Sequence, residues 1–188
     1  LMDEASKESL ILTTMHGQIP AVDLGHGVTS VNMGQPELEW DKVPISKNIP
    51  TLELPIEGSP TATGMGNPHC TFFVEDTEKI NLEEMGPKFE NHPLFPERTN
   101  VQFASIPAPD EIRMRVWERG VGVTLASGSS SCATAVAANR RGLTGRKVQI
   151  ELDGGVLNIN WREDGVWITG PTMNVFAGSF SEEFLNSL

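Results

Sequence analysis

The sequence predicts an α+β fold, and three observations carry that prediction. Many short segments alternate apolar and polar residues or are rich in β-branched side chains, which is typical of strands. Two segments have helical character, Leu82–Phe89 and the alanine-rich stretch Ala133–Ala138. The later strand-like segments are joined by the turn sequences DGG and EDG. Many short strands with about two helices indicate the α+β class.

In the first half of the chain we predict strands at Leu10–Thr14, Gln18–Leu24, Ser30–Met33, Thr61–Met65 and Thr71–Val74. A proline-dotted loop covers Val43–Pro60. The helix Leu82–Phe89 is expected to begin after Asn81, with Glu84 at the capping-box position. Two prolines then predict a rigid loop at Asn91–Arg98.

In the second half we predict strands at Asn100–Ile106, Glu111–Glu118, Val148–Leu152, Val156–Trp161, Val166–Thr169 and Asn174–Phe180. Alternation in Glu111–Glu118 places Ile112, Met114 and Val116 on one face of its strand. The alanine-rich helix is expected to end near Gly142, a suitable left-handed cap.

The stretch Leu125–Ala138, LASGSSSCATAVAA, turns from tiny polar residues directly into a slim helix. Such a helix can be buried on all sides. The free N–H groups and positive dipole end of its first turn suit a carboxylate or phosphate. The alternative is a serine N-cap on a core helix with no ligand.

Composition excludes several classes of function. The 188 residues carry a net charge of −11, with 14 Lys and Arg against 25 Asp and Glu, and no basic stripe, so we expect no nucleic-acid partner. No apolar run is long enough to span a membrane, and no signal peptide is visible. Two cysteines are too few for a disulfide framework, which favours a cytoplasmic location.

Three polar clusters are unusual for purely structural roles: GMGNPH (Gly64–His69), ERTN (Glu97–Asn100) and WERGVG (Trp117–Gly122). In the first cluster, Asn67 and His69 hold an amide and an imidazole close together on a predicted loop; a turn in which Asn67 bonds its own backbone is the alternative. Glu118 and Arg119 offer a carboxylate for an ammonium group and a guanidinium for a carboxylate, or form a solvated strand end. Together with the helix start, these groups suit a zwitterion such as an amino acid.

These motifs, in this order, closely resemble the diaminopimelate epimerase family. The resemblance includes GNPH, ERTN, VWERGVG, the small-residue helix start, RRGL (Arg140–Leu143) and ITGP (Ile168–Pro171), and it runs from about Val31 to Phe180. It implies two similar lobes, each a curved, mostly antiparallel sheet or barrel wrapped around a central helix. It also implies a cofactor-free isomerase that interconverts LL- and meso-2,6-diaminopimelate, a lysine and cell-wall precursor, using two cysteines on opposite faces of the substrate α-carbon.

The site residues follow from the resemblance, motif by motif. The implied catalytic positions are Ser127, His69 and Glu118. The implied substrate-binding positions are Asn67, Asn100, Glu118, Arg119, Gly128 and Ser129. We expect a small amino-acid ligand, no metal, no membrane and no nucleic acid, and we leave a homodimer open.

Two departures from the family pattern bear on activity. The family writes the turn before the helix as ACGTG or ACGSA, whereas this chain has ASGSS, so Ser127 replaces a catalytic cysteine. An alcohol is a far weaker acid than a thiol, and we expect impaired or absent epimerisation. The turn with the family's other catalytic cysteine does not occur before Val31. We therefore expect residues 1–35 to be the remnant of a first lobe, 36–170 a complete second lobe, and 171–188 a C-terminal strand returning toward the first.

Other functions remain open at this stage. The chain could be a non-catalytic amino-acid-binding lobe, or a racemase or dehydratase relative that needs one base. A serine hydrolase is a remote alternative, with Ser130 as nucleophile and His69 or His92 as base, but G-S-S-S-C is not the G-x-S-x-G elbow. The four histidines, His16, His26, His69 and His92, are not spaced as metal ligands, and GHGVTS and GMGNPH lack the third glycine of a dinucleotide site.

Overall fold

The computed structural model describes residues 8–14 and 17–187, and in these residues it has eleven strands, three α-helices and one 3₁₀ turn at Thr77–Lys79. The strands are β1 (Ser9–Thr14), β2 (Gly17–Asp23), β3 (Val28–Asn32), β4 (Thr61–Gly64), β5 (Pro68–Phe73), β6 (Asn100–Ala108), β7 (Glu111–Glu118), β8 (Gly122–Thr124), β9 (Lys147–Leu152), β10 (Gly155–Arg162) and β11 (Gly165–Pro171). The helices are α1 (Leu82–Glu90), α2 (Gly128–Arg140) and α3 (Glu182–Leu185). The α+β class is confirmed.

All eleven strands belong to one sheet, in the order β1-β2-β3-β11-β10-β9-β7-β6-β5-β4, with β8 paired to β7 beside this path. The pairings are antiparallel except for β5 with β6 and β7 with β9, which are parallel. The early strands join the later ones where β3 lies against β11, and there the hydroxyls of Ser30 and Thr169 are hydrogen-bonded at 2.8 Å. The sheet is therefore mostly antiparallel, as predicted.

Helix α2 lies at the centre of the sheet's concave side, because its side chains are small enough to be surrounded. Every residue from Ser130 to Ala138 is buried, and the helix contacts strands β4–β7 and β9–β11. It ends as predicted: Gly142 has a φ of +71°, and the Leu143 amide donates to the Ala138 carbonyl at 2.9 Å.

Two hydrophobic clusters fill the interior. The first lies between α2 and the sheet and includes Ile112, Met114 and Val116, so the predicted shared face of these three residues on β7 is confirmed, and it is the buried face. The second lies under α1, where the ring of Phe72 contacts those of Phe89 and Phe103 at centroid distances of 4.4 and 5.0 Å.

Some local predictions were wrong. Residues 172–180 form no strand, because β11 already pairs with β10 on one side and β3 on the other, so the chain leaving Pro171 finds no free edge there. The Asn81 side chain makes no capping bond to α1; its amide donates instead to Glu84 Oε2 at 3.4 Å. His69 lies within strand β5 rather than on a loop. The proposed lobe boundaries stay predictions.

Within the described residues, no helix has both the length and the apolar character needed to cross a membrane.

Candidate active site

The contact between Glu118 and Ser127 defines the centre of the candidate site. Strand β7 ends at Glu118, and the short strand β8, which sequence reasoning missed, brings the chain back so that Ser127 precedes α2. Ser127 Oγ donates to Glu118 Oε2 at 3.0 Å, and Thr124 Oγ1 donates to Glu118 Oε1 at 2.6 Å. The Glu118 carboxylate thus connects β8 to the start of α2, because Oε1 binds Thr124 of β8 and Oε2 binds Ser127.

The Ser127 side chain does not cap the helix, although Ser127 occupies the N-cap position. Its carbonyl instead accepts from the amide of Ser131 at 3.0 Å and from the Ser131 hydroxyl at 2.8 Å. Gly128 and Ser129, in the first helical turn, have amides with no carbonyl acceptor inside the helix. These amides and the positive end of the helix directly follow Ser127 in the chain, and an anionic group bound to them would be stabilised.

Asn100 fixes the turn that carries Arg119. The side-chain oxygen of Asn100, Oδ1, accepts from the Arg119 amide at 2.9 Å, and its Nδ2 donates to the Pro68 carbonyl at 2.9 Å. Arg119 Nη1 donates to the Glu97 carbonyl at 3.0 Å, which leaves other guanidinium donors for a ligand. Asn100 is buried, and both ends of its amide bind backbone, so in this structure it connects loops of the site.

A buried chain of polar side chains connects Asn67 to the start of α2. Gln102 Nε2 lies 3.1 Å from His69 Nδ1 and donates to Ser130 Oγ at 3.0 Å, while Thr71 Oγ1 donates to Gln102 Oε1 at 3.2 Å. Because Gln102 donates to Nδ1, the His69 proton is on Nε2, which lies 2.8 Å from Asn67 Oδ1. The Asn67 oxygen is therefore occupied by His69, and its Nδ2 is left to donate elsewhere.

His69 is neutral at neutral pH. Its side chain is fully buried, and the loss of hydration, with a smaller contribution from the charge of Arg119, lowers the pKa of His69 from 6.5 to about 3. With Nδ1 accepting from Gln102 and Nε2–H donating to Asn67, the ring has no free lone pair for a substrate proton.

Asn67 and Arg119 open onto one groove of about 470 Å³. Its other lining residues are Glu37, Asp41, Lys42, Pro44, Gly66, Pro68 and Glu97. The lining thus combines carboxylates with two cations, which suits a ligand that carries both ammonium and carboxylate groups.

The two cysteines, Cys70 and Cys132, are both free and buried. Burial raises the pKa of the Cys132 thiol to about 12 and raises the pKa of the Cys70 thiol as well. A buried thiol held in its neutral form is a poor proton acceptor.

The hydrolase alternative is wrong for the described residues. Ser130 Oγ bonds to Gln102, not to a histidine, and His92 Nδ1 accepts from the Leu94 amide at 3.2 Å. In the same residues, no group of three or more His, Cys, Asp or Glu side chains is arranged to hold a metal ion. His16, named among the histidines considered as ligands, lies outside the described residues.

Comparison with known proteins identifies the family. The sequence model of diaminopimelate epimerase matches residues 61–175, the part of the chain that contains every site residue predicted from the sequence. The chain belongs to the diaminopimelate epimerase family. The resemblance read from the motifs is thereby confirmed, as is the assignment to an isomerase family.

Similar curated proteins agree. The chain is 46% identical to the diaminopimelate epimerase of Acidiphilium cryptum over 98% of its own length and 69% of that protein's. It is 46% identical to the enzyme of Rhodospirillum centenum, covering 97% of this chain and 65% of that one. It therefore spans about two thirds of the length of these diaminopimelate epimerases.

Solved structures share the fold. A probable proline racemase from Agrobacterium radiobacter K84 matches with a TM-score of 0.63 and 13% identity, over 93% of this chain and 60% of that chain. A hydroxyproline epimerase from Agrobacterium vitis matches with a TM-score of 0.59 and 16% identity, over 87% of this chain and 56% of that chain. The chain thus shares its α+β architecture with these racemase and epimerase structures.

Sequence reasoning missed Gln102, Thr124 and Glu90, which hold the site together. Gln102 has a visible signal, since it shares a face of β6 with Asn100 and the two form a polar pair on a face that is otherwise apolar. Thr124 and Glu90 have weaker signals. Thr124 binds Glu118 across the turn between β7 and β8, and Glu90 binds Trp117 and Gly120, which are distant in sequence.

Proposed function

We propose that this chain has a substrate site for 2,6-diaminopimelate, related to the cofactor-independent epimerisation of lysine biosynthesis, and that Ser127 weakens its proton chemistry. The observation that carries this proposal is the Glu118–Ser127 hydrogen bond of 3.0 Å at the start of α2, within the region that matches the family. The site supports binding more directly than it supports rapid catalysis.

Binding follows from the donors around the groove. The amides of Gly128 and Ser129 would receive the α-carboxylate, since the helix itself supplies them no acceptor. Arg119 and the Nδ2 group of Asn67 would bind a second carboxylate from the groove. His69 contributes by fixing the direction of the Asn67 amide, and Asn100 by fixing the backbone of Arg119.

The proton step would run through Ser127 to Glu118. As the α C–H bond breaks, its proton passes to Ser127 Oγ, the Oγ proton passes to Glu118 Oε2, and the electron pair remains on the α-carbon, delocalised into the adjacent carboxylate. Reversal of the same steps returns a proton to the same face. The alcohol is a weak relay compared with a thiol, so we expect slow exchange.

Inversion needs a second proton donor on the opposite face of the α-carbon. Cys70 and Cys132 are buried with raised pKa values and cannot supply it. We therefore propose that this chain exchanges the α-proton without net conversion of LL to meso. The free thiols are consistent with a reducing, cytoplasmic location, which we also propose.

Calorimetry with meso-diaminopimelate, followed by deuterium wash-in at the α-carbon, tests both parts. The unchanged chain should bind, and Ser127→Cys should raise the wash-in rate by about 10²–10⁴-fold, the usual effect of a better-matched acid–base group. Ser127→Ala is the matched control, since it keeps the helix start but carries no proton. Absence of binding by the unchanged chain would refute the proposed function.

A second candidate is a binding lobe without chemistry, which the buried cysteines and the serine at position 127 favour. Binding with no wash-in by either the unchanged chain or Ser127→Cys would establish it.

A further inference from the structure

Glu90, the last residue of α1, carries a buried carboxylate with three donors. Its side chain is only 7% exposed. Oε2 accepts from the Trp117 indole N–H at 2.6 Å, and Oε1 accepts from the Gly120 amide at 2.8 Å and from Arg98 Nη1 at 3.0 Å. A negative charge at the C-terminal end of a helix is unfavourable, so these donors must stabilise it there.

The residues that bind Glu90 are those that flank Glu118 and Arg119. Trp117 immediately precedes this pair and Gly120 immediately follows it. One carboxylate therefore holds both ends of the segment that presents the two site residues. The segment cannot rotate or slide without breaking a charge-assisted hydrogen bond.

Helix α1 approaches the same segment through Gly86, one turn before Glu90. A Cβ at Gly86 would overlap the Trp117 indole, so only glycine lets the ring lie against the helix backbone. Gly86 and Glu90 lie on one face of α1, where Gly86 packs against the Trp117 ring and Glu90 accepts a hydrogen bond from it.

The remaining backbone donors of the turn are also bound. The Arg119 amide bonds to Asn100, and the Val121 amide donates to the Glu118 carbonyl at 3.0 Å. The bonds to Glu90 connect the turn to helix α1, in addition to the pairing of β7 with β6 and β8, so α1 contributes to the position of the turn.

We propose that Glu90 is a positioning residue for the reaction, acting through Trp117 and Gly120 to hold Glu118 and Arg119 where the amino-acid ligand meets them. Its substitution should weaken ligand binding and proton exchange although Glu90 itself touches neither Ser127 nor the groove lining. This inference rests on the proposed function, and its test separates the two.

The test compares Glu90→Gln with two controls. Glu83→Gln removes an exposed carboxylate from the same helix, and Ile159→Val is a core truncation away from the turn that lowers the melting temperature. Three quantities are measured: affinity for meso-diaminopimelate by calorimetry and, by NMR, both the hydrogen exchange of the Arg119, Gly120 and Val121 amides and the resonance of the Trp117 indole N–H.

In Glu90→Gln we expect the Trp117 indole resonance to shift and the turn amides to exchange at least about tenfold faster, as loss of a charge-assisted bond implies. Affinity should fall by about tenfold for the same reason. Glu83→Gln should match the unchanged chain, and Ile159→Val should lower stability without changing affinity.

The outcomes are distinguishable. If the unchanged chain does not bind the ligand, the proposed function fails, and selective exchange at the turn still decides whether Glu90 positions it. If Glu90→Gln keeps full affinity, or if its turn amides exchange no faster than those of Ile159→Val, the inference is overturned.

Discussion

Introducing a thiol at position 127 tests how the electrostatics of the site are balanced. Two effects on a Ser127→Cys thiol oppose each other. The start of α2 favours the thiolate by about 0.3–2 kcal/mol, the usual range for a charge at a helix terminus. The Glu118 carboxylate disfavours it, because the Ser127 oxygen lies only 3.0 Å from Glu118 Oε2.

Coulomb's law indicates that the carboxylate has the larger effect. Two unit negative charges about 3 Å apart repel by about 5 kcal/mol at an effective dielectric constant near 20. Even after solvent screening reduces this by half, it equals or exceeds the helix contribution. We therefore expect the thiol pKa of Ser127→Cys to lie above the ordinary value of about 8.5, and Glu118→Gln in the same background to lower it by at least about one unit.

The assay is the rate of iodoacetamide alkylation as a function of pH, which reports the thiolate fraction. The unchanged chain measures the background from Cys70 and Cys132, which are buried. Glu97→Gln in the Ser127→Cys background is the matched control, because it removes a nearby carboxylate that does not contact position 127. A thiol pKa below about 8 in Ser127→Cys, or no fall on adding Glu118→Gln, would refute the reasoning.

Three further predictions concern stability. Ala135→Leu should lower the free energy of unfolding by about 1–3 kcal/mol, because Ala135 is buried within α2; an unchanged melting temperature would contradict the central helix. Gly86→Ala should lower the free energy of unfolding, measured by urea titration, by about 1–2 kcal/mol, because the added Cβ would overlap Trp117. Gly145→Ala is the control and should have little effect, because the space at its Cβ is open. Equal effects of the two substitutions would count against the packing of α1 on Trp117. The pKa of His69 falls from 6.5 to about 3 on folding, so the unfolded chain binds more protons than the folded chain between these pH values. The free energy of unfolding should therefore decrease as the pH falls below 6.5, by up to about 1.4 kcal/mol per pH unit. His69→Gln should flatten this slope between about pH 6.5 and 5, and an unchanged slope would show that His69 is not responsible.

Local pattern predicted most of the fold because the relevant signals are local. Alternation in β7 was sufficient to place Ile112 and Met114 in the core, and the run of alanines was sufficient to bury α2. The last predicted strand failed for a reason that no local pattern contains. Whether Asn174–Phe180 pairs depends on a free sheet edge, and β3, from the other end of the chain, occupies the edge beside β11.

The site divides in the same way. The motifs located Asn67, Glu118 and the helix start, because each lies in a distinctive short sequence. They did not reveal that the Ser127 hydroxyl turns away from the helix amides toward Glu118, because that contact requires the return through β8. Glu90 was the site residue with the least local signal, because the loop after α1, strand β6 and most of strand β7 separate it in sequence from Trp117 and Gly120.

The backbone conformation at position 127 is compatible with either serine or cysteine. The backbone of Ser127 is extended, with φ −149° and ψ 117°, a conformation open to any residue, and its contribution to α2 is made by its carbonyl. The Ser127 hydroxyl donates to Glu118, and a thiol at this position would be larger and far more acidic than the hydroxyl. Ser127→Cys therefore changes the proton chemistry of the site more than the backbone that carries it, and deuterium wash-in at the α-carbon together with thiol alkylation would report that change.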